Sequence, residues 1–420
     1  MSEDKGRYYA GSYMNAFDVA QELGISLPTL YSYVSRGLLR SEFADAGKRT
    51  RRYHSEDVYR LKARQEMRRD PQKVVDTALH WGTPILSSSL TLIEAGNFYY
   101  RGQDVLKLAC ARSVEQVAAL LWTGDEKQAD LLFGPAQALP NLPPNLQALW
   151  PLLHDVPPVE RCQALLPLLA AEDLASYDLR PEPLPFTSAR ILRLMALLAT
   201  GQNYFEESES VAALLQRALV PHLPQAMSLF RAALILCADH ELNVSSFTAR
   251  CVASAGSPPY AVVSGGLAAL QGVKHGGMSA RVEALFQETG SPQQARDTIA
   301  RRIRRGEGVP GFGHPLYPEG DPRGRLLLEL VSAAFPDSPG VQLAQALTAA
   351  AQAAAFAPPN IDYALATLGC ALELPPGTAL MLFALGRTVG WLGHAIEEYK
   401  ADQLIRPRAH YTGILPDKPK

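Results

Sequence analysis

The sequence predicts a mainly α protein in which a small helical unit precedes a much larger helical body. Three observations lead there. Asn-Gly and Asp-Gly, the strongest short hairpin signals, occur nowhere in the 420 residues. Apolar residues recur mostly at three- and four-residue spacing rather than in alternation. The charge also changes sign along the chain: residues 1–70 hold 13 Lys and Arg against 10 Asp and Glu, and the other 350 hold 27 against 32.

The front unit declares itself through its caps. Asn15 is placed to cap a helix Ala16–Leu23 that Gly24 stops, with Asp18 in its first turn. Ser26 caps a second helix, Leu27–Arg36, with Pro28 in its first turn and Leu30, Tyr31 and Val34 on one face. Two short helices across a Gly-Ile-Ser turn read as helix-turn-helix. After Gly37 comes the basic loop GKRTRRY (Gly47–Tyr53), then a third helix capped by Ser55. This pattern, with LGIS-TLY, GLL and RRY, resembles the winged helix-turn-helix of MerR-type regulators and excisionases. That resemblance implies DNA contact through residues 13–70. Thr29, Tyr31, Ser32 and Arg36 would face the groove, and Lys48, Arg49, Arg51 and Arg52 would meet phosphates from the wing. A basic turn that only solubilises, on helices that serve for packing, fits the same residues.

The body is apolar and helical from Val74 onward. Leu90, Leu92 and Phe98, Tyr100 alternate as a small hairpin would, the Pro-rich stretches Pro140–Pro158 and Arg180–Pro185 read as connections, and Leu343–Phe356 reads as a buried helix. A hydrophobic content of 47% with 20% charged residues describes a soluble globular chain, and a net charge of −2 excludes a polyanion binder over its whole length. Five scattered cysteines without CxxC spacing argue for a reducing compartment and against a disulfide framework or zinc site. The polar start MSEDKGRYY and the lack of an apolar run near ~18 residues predict a cytoplasmic protein without a membrane span.

The body is organised around Gly308–Arg323, GVPGFGHPLYPEGDPR. Pro310, Gly311, Gly313 and Pro315 forbid regular helix around His314, so it belongs on a shaped loop with exposed backbone N–H groups. Two further stretches stand with it: Asp239–Gly277, running from DHELN to KHGG, and Asn360-Ile361-Asp362. His275 precedes a probable helix Met278–Gln287, whose dipole disfavours imidazolium but leaves a neutral N–H donor. Asp362 opens a helix, where a cap is its plain role. Arg387 lies within an apolar helix and needs an anion, either Glu398, Asp402 or a bound dicarboxylate. His394, Glu397 and Glu398 have helical metal-ligand spacing but read as structural, as do His54, His80, His154, His222 and His410.

Together the three stretches, with YYRG at Tyr99–Gly102, resemble the citrate synthase family from about Val74 to Gly413. Its members carry histidines in DHE…N and HGG settings, a GFGH or GYGH loop followed by DPR, and an N-[VI]-D acid. The resemblance implies a large helical domain with a smaller one at about 278–380, within a domain spanning 73–420 behind a front domain of 1–72. It implies a homodimer acting on oxaloacetate, or another 2-oxo acid, and an acyl-CoA, with acetyl-CoA as substrate and neither metal nor cofactor. Asp362 would be the base, His275 the donor to the enol oxygen and His314 the donor to the oxo acid's carbonyl. His240, Arg323, Arg387 and Arg406 would hold carboxylates. Val309, Gly311, Phe312 and Gly313 would contact CoA, and Arg304 and Arg305 its phosphates.

Departures bear on the acyl group. HGGMS (His275–Ser279) replaces the commoner HGGAN, Lys274 stands where a small or apolar residue is usual, and GFGHPLYP replaces GFGHRVY. Three functions therefore fit the sequence: an acetyl-CoA condensing enzyme, a 2-methylcitrate synthase using propionyl-CoA, and a DNA-binding regulator with a metabolite-sensing domain.

Overall fold

The structure is a computed structural model that describes residues 13–43, 51–54, 57–58, 61–62, 86–94, 96–137, 144–153, 155–409 and 411–414. Lys48, Arg49, the cap Ser55 and His80, His154 and His410 lie outside the described residues. The chain forms two compact units, Met1–Ser87 and Ser88–Lys420.

In the first unit β1 (Tyr13–Asn15) leads into α1 (Ala16–Leu23), where the Asn15 side chain accepts the Asp18 N–H at 2.9 Å and Gly24 ends the helix at φ 59°. Ser26 caps α2 (Leu27–Ser35). This helix stops one residue short of the sequence expectation, with Arg36 as its cap. Antiparallel β2 (Ser41–Phe43) and β3 (Arg51–His54) complete a sheet of order β1-β3-β2, the wing of a winged helix-turn-helix. Val19 and Leu23 of α1 and Leu30 of α2 close its core with Leu39, Tyr53 and Val58, while Phe17 and Tyr31, the latter expected on the apolar face with Leu30, turn outward. Tyr31 is 54% exposed and Arg36 is exposed, whereas Thr29 and Ser32 are half-buried. Arg51 donates to Ser41 Oγ, and Arg52 reaches Glu42 at 3.3 Å with its guanidinium 4.0 Å above the Tyr13 ring.

The second unit opens with β4 (Thr91–Glu94), β5 (Asn97–Tyr100) and β6 (Gln103–Asp104) in that sheet order. Phe98 and Tyr100 point into the core as the alternation predicts, but Leu92, expected to share a face with the buried Leu90, is 49% exposed because Thr91 and Ile93 take the inner side of β4. Helices follow: α3 (Val105–Ala111), α4 (Val114–Thr123), α5 (Ala129–Phe133), α6 (Pro144–Leu153), α7 (Pro158–Glu172), α8 (Leu184–Thr200) and α9 (Val211–Leu219). The series continues with α10 (Ala226–Cys237), α11 (Val244–Ser254) and α12 (Pro259–Leu270). After these come α13 (Gly277–Thr289), α14 (Ala295–Arg304), α15 (Pro322–Ala334), α16 (Pro339–Ala353), α17 (Ile361–Ala371) and α18 (Thr378–Ala401).

Helix α6 corrects the reading of Pro140–Pro158 as connection only. Pro144 occupies its first position, where the missing N–H costs nothing, and Pro151 falls in its last turn. Pro185 likewise lies in the first turn of α8. Helix α13 starts one residue earlier and ends two later than expected, and α16 runs Pro339–Ala353 rather than Leu343–Phe356.

Two cores organise this unit. The larger gathers α3–α12 around α18, with Trp122, Phe230 and Trp391 at its centre. The smaller joins α13, α14, α16 and α17 through Val282, Leu285, Ile299, Leu347 and Tyr363. Helix α18 is longer and more apolar than the sequence reading allowed: its 24 residues reach membrane-spanning length, and 94% of its most apolar window is buried inside the protein. It lies close against α10 because Gly386 and Gly390 face that helix. A Cβ on Gly390 would stand 2.3 Å from Ala238 O, and one on Gly386 2.6 Å from Leu234 O. That approach sets Arg387 against the C-terminal end of α10.

Candidate active site

His314 sits where the loop before α15 is drawn onto the turn before α17. Gly311 and Gly313 have φ of 86° and 77°, and a Cβ on Gly311 would meet Val282 at 2.8 Å. The loop is laced to the turn by Gly313 N–H to Pro358 O (2.9 Å), Asn360 N–H to Gly311 O (2.9 Å) and Asn360 Nδ2 to Gly313 O (3.1 Å). The Asn360 side-chain oxygen then accepts the N–H groups of Asp362 and Tyr363 at 3.1 and 3.3 Å. So the cap of α17 is Asn360, and Asp362 is left free of the plain role its position suggested. Its Oδ1 accepts a 2.6 Å bond from Ser279 Oγ on α13. Burial pushes the Asp362 carboxyl up to about 6, against the opposing pull of the Ser279 hydroxyl and Arg323.

His314 Nδ1 accepts the Leu316 N–H at 3.2 Å. A nitrogen that accepts carries no hydrogen, so the neutral ring holds its proton on Nε2. Burial and then the Arg323 charge lower this histidine to about 4, so neutral it stays. His275 is lowered to about 4 as well, by burial and then by Arg387. The exposed neighbour Lys274 is not among these causes. His275 Nε2 lies 2.9 Å from Ser245 Oγ, at the start of α11. The Ser245 hydroxyl donates to Asn243 Oδ1 at 2.7 Å; turned from there to donate to Nε2, it places the ring's hydrogen on Nδ1, available to a ligand.

His240 is buried, with Nε2 2.9 Å from the Tyr317 hydroxyl and its ring edge-on to His314 at 5.2 Å. Burial, then Arg323, His314 and Arg387, hold it well below the ordinary histidine value. Arg323, 2% exposed, forms two 2.9 Å bonds to Asp321, whose Oδ2 also accepts the Ile361 N–H at 3.1 Å. Arg387 is 1% exposed; its Nε donates to Cys237 O at 2.9 Å and its guanidinium lies 4.8 Å from the Phe383 ring centre.

Neither internal anion suggested for Arg387 serves it. Glu398 is held by Arg250 at 2.6 Å, and Asp402 is the exposed C-cap of α18. Among the described residues no carboxylate lies within ion-pair distance of Arg387, and burial lowers its pKa. A buried guanidinium in this state has N–H donors that can receive an anion. His394 also has a plainer place than its spacing allowed: Nε2 lies 3.2 Å from Asp239 Oδ1, beneath His240, while Glu397 accepts from Ser89 and Arg250. No cluster of potential metal ligands occurs among the described residues.

The structure thus gathers His240, His275, His314, Arg323, Asp362 and Arg387, each within electrostatic reach of others in the set. It does not bring Arg406 there; that residue is exposed on the segment after α18. Of the residues suggested for CoA, Val309 is buried in the smaller core and Phe312 packs on Tyr363 at 4.9 Å. Arg304 is exposed, and Arg305 is tied to Glu307 at 2.7 and 2.9 Å. Sequence reasoning missed Tyr317, Ser245 and Ser279. Only Ser279 carried a local signal, as a departure from HGGAN.

Neutral imidazole donors, a carboxylate with raised affinity for protons and two buried arginines are groups that can enolise a carbonyl compound beside a carboxylate. Residues 78–408 match the family described as citrate synthase, C-terminal domain, and residues 14–70 match the MerR HTH family regulatory proteins. The chain belongs to the citrate synthase family, a family of acyltransferases that take acyl-CoA as substrate and need no cofactor.

It is 36% identical to citrate synthase 2 of Bacillus subtilis over 200 residues, 47% of this chain and 53% of that protein. It is 30% identical to the citrate synthase of Mycolicibacterium smegmatis over 349 residues, 76% of this chain and 90% of that one. It is 28% identical to the 2-methylcitrate synthase of Mycobacterium tuberculosis over 348 residues, 76% and 86% of the two chains. The crystal structure of the Thermotoga maritima citrate synthase superposes with a TM-score of 0.67 at 25% identity, covering 81% of this chain and 96% of that one. The Thermoplasma acidophilum enzyme in ternary complex with carboxymethyl coenzyme A and oxaloacetate gives 0.68 at 23% identity, covering 80% and 96%.

Proposed function

We propose that the chain condenses acetyl-CoA with oxaloacetate and hydrolyses the citryl thioester to citrate and CoA. The observation that carries this reading is the buried Arg387 without a carboxylate partner, beside Arg323 and three uncharged histidines. Arg323, Arg387 and His240 hold the two carboxylates. Asp362 takes a methyl proton from the thioester while an N–H of His275 bonds the enol oxygen. His314 Nε2–H polarises the oxo carbonyl, the enol carbon bonds to its carbon, and water then cleaves the thioester to release CoA. The smaller core, within about 278–380, closes over the oxo acid as a unit, in a cytoplasmic homodimer.

The test is thiol release from acetyl-CoA with oxaloacetate, run beside propionyl-CoA. Turnover is expected with acetyl-CoA in excess over propionyl-CoA. The reverse preference makes it a 2-methylcitrate synthase, since a methylene is worth only ~1–3 kcal/mol of discrimination. No turnover with either thioester sinks the enzymatic reading.

The winged unit supports a second role, DNA binding through α2 and β3, favoured by the exposed Tyr31 and Arg36. Retarded migration of DNA from the chain's own upstream region at low salt is expected, weakening as salt rises. Absence of any shift at low salt removes this role.

A further inference from the structure

We propose that Ser279 is a positioning residue for Asp362, fixing one carboxylate oxygen so that the other receives the substrate's proton. This rests on the proposed role of Asp362 as base. Ser279 is fully buried in the first turn of α13. A serine inside a helix usually spends its hydroxyl on the carbonyl one turn back. Ser264 and Thr289 do so here, donating to Tyr260 O at 2.9 Å and Leu285 O at 2.7 Å. Ser279 instead donates at 2.6 Å to Asp362 Oδ1, on a helix far along the chain.

Its own place is fixed from below. A Cβ on Gly276 would stand 2.7 Å from Leu270 O and one on Gly277 2.9 Å from Gly272 O, and the Ser279 N–H bonds Gly276 O at 3.0 Å. The same tight turn carries His275, so one stretch of backbone sets both the enol-oxygen donor and the orientation of the base. This gives HGGMS a meaning as a site feature: where the family resemblance has Asn, this chain places a single short donor against the carboxylate.

The other groups acting on Asp362 are Arg323 on α15, Asp321 at that helix's cap and Arg387 on α18. All three stay in place when only the Ser279 hydroxyl is removed. A hydrogen bond to an ionised acceptor favours ionisation, so its loss raises the Asp362 midpoint.

The experiment uses the full-length protein with Ser279→Ala and Ser279→Thr, read in two ways. Carbon-13 NMR of the Asp362 carboxyl, assigned with Asp362→Asn, is expected to show the midpoint rising by about one pH unit in Ser279→Ala and returning in Ser279→Thr. The acid limb of kcat, where the base loses its proton, is expected to move up by the same amount with KM for the oxo acid unchanged. An unmoved midpoint in a folded Ser279→Ala protein overturns the inference. So does equal loss of kcat in both variants with the limb in place, which marks a packing role. The NMR titration needs no turnover, so an inactive wild type would count against the proposed reaction while the carboxyl midpoint still decides the role of Ser279.

Discussion

Asp362→Asn lowers kcat by about 10²–10⁴-fold, the usual contribution of a placed base, and leaves oxaloacetate binding intact. The amide keeps the size of the side chain, so packing around α17 survives and what is lost is the oxygen that accepts the methyl proton. Thiol release measures the rate, and calorimetry with oxaloacetate measures the binding. Exchange of the acetyl-CoA methyl protons with deuterated solvent should vanish with it. A variant that keeps its rate within tenfold would put the base elsewhere.

The same substitution speaks to stability. Asp362 titrates near 6 in the folded chain against ~3.9 when unfolded, so the folded state binds the extra proton between those values. Stability at this group is therefore present at low pH and lost as pH rises through about 4 to 6. Asp362→Asn is uncharged throughout and should melt higher than the wild type at pH 7, with the difference shrinking toward pH 4.

Arg387→Met should separate binding from folding in the opposite sense. Removing one member of a buried charged contact costs about 2–5 kcal/mol, so oxaloacetate affinity should fall by roughly 30-fold to several thousand-fold. In the unliganded protein, however, Arg387 is a buried cation answered by one carbonyl, an aromatic ring and, beyond ion-pair distance, the buried Asp239 carboxylate. Replacing such a group by an apolar side chain of similar length is often neutral or stabilising. The variant should thus melt no lower than the wild type alone, yet lose the rise in melting temperature that oxaloacetate gives. A variant that melts well below the wild type, or one that binds oxaloacetate as well, would show that Arg387 is structural.

Much of this was legible in residue order, for a physical reason. Caps and turns are local: Asn15, Gly24, Ser26 and the glycines around His314 act on backbone within a few residues, so their effect can be read without the fold. The hairpin at Leu90–Tyr100 and the apolar setting of Arg387 are local in the same sense. What escaped depends on contacts between distant stretches. Tyr317 meets His240, Ser245 meets His275 and Ser279 meets Asp362 only because helices far apart in sequence converge. The choice among Glu398, Asp402 and a bound dicarboxylate for Arg387 stayed open for that reason too, since Arg250 reaches Glu398 from α11. Proline misled at α6, where its position within the helix mattered more than its frequency.

The backbone ladder joining Gly311–Gly313 to Pro358–Asn360 bears on how this chain can lengthen or shorten over time. Helices α15 and α16 lie between its rungs, so they form a closed excursion whose ends are tied to each other. Insertions at its outer turn, around 335–338, add only a slowly growing closure entropy and leave His314 and Asp362 in register. An insertion between α14 and Gly311 enjoys no such insulation, because it pushes on the ladder itself. Length variation among relatives is therefore expected to collect at the far end of the excursion and to avoid its neck.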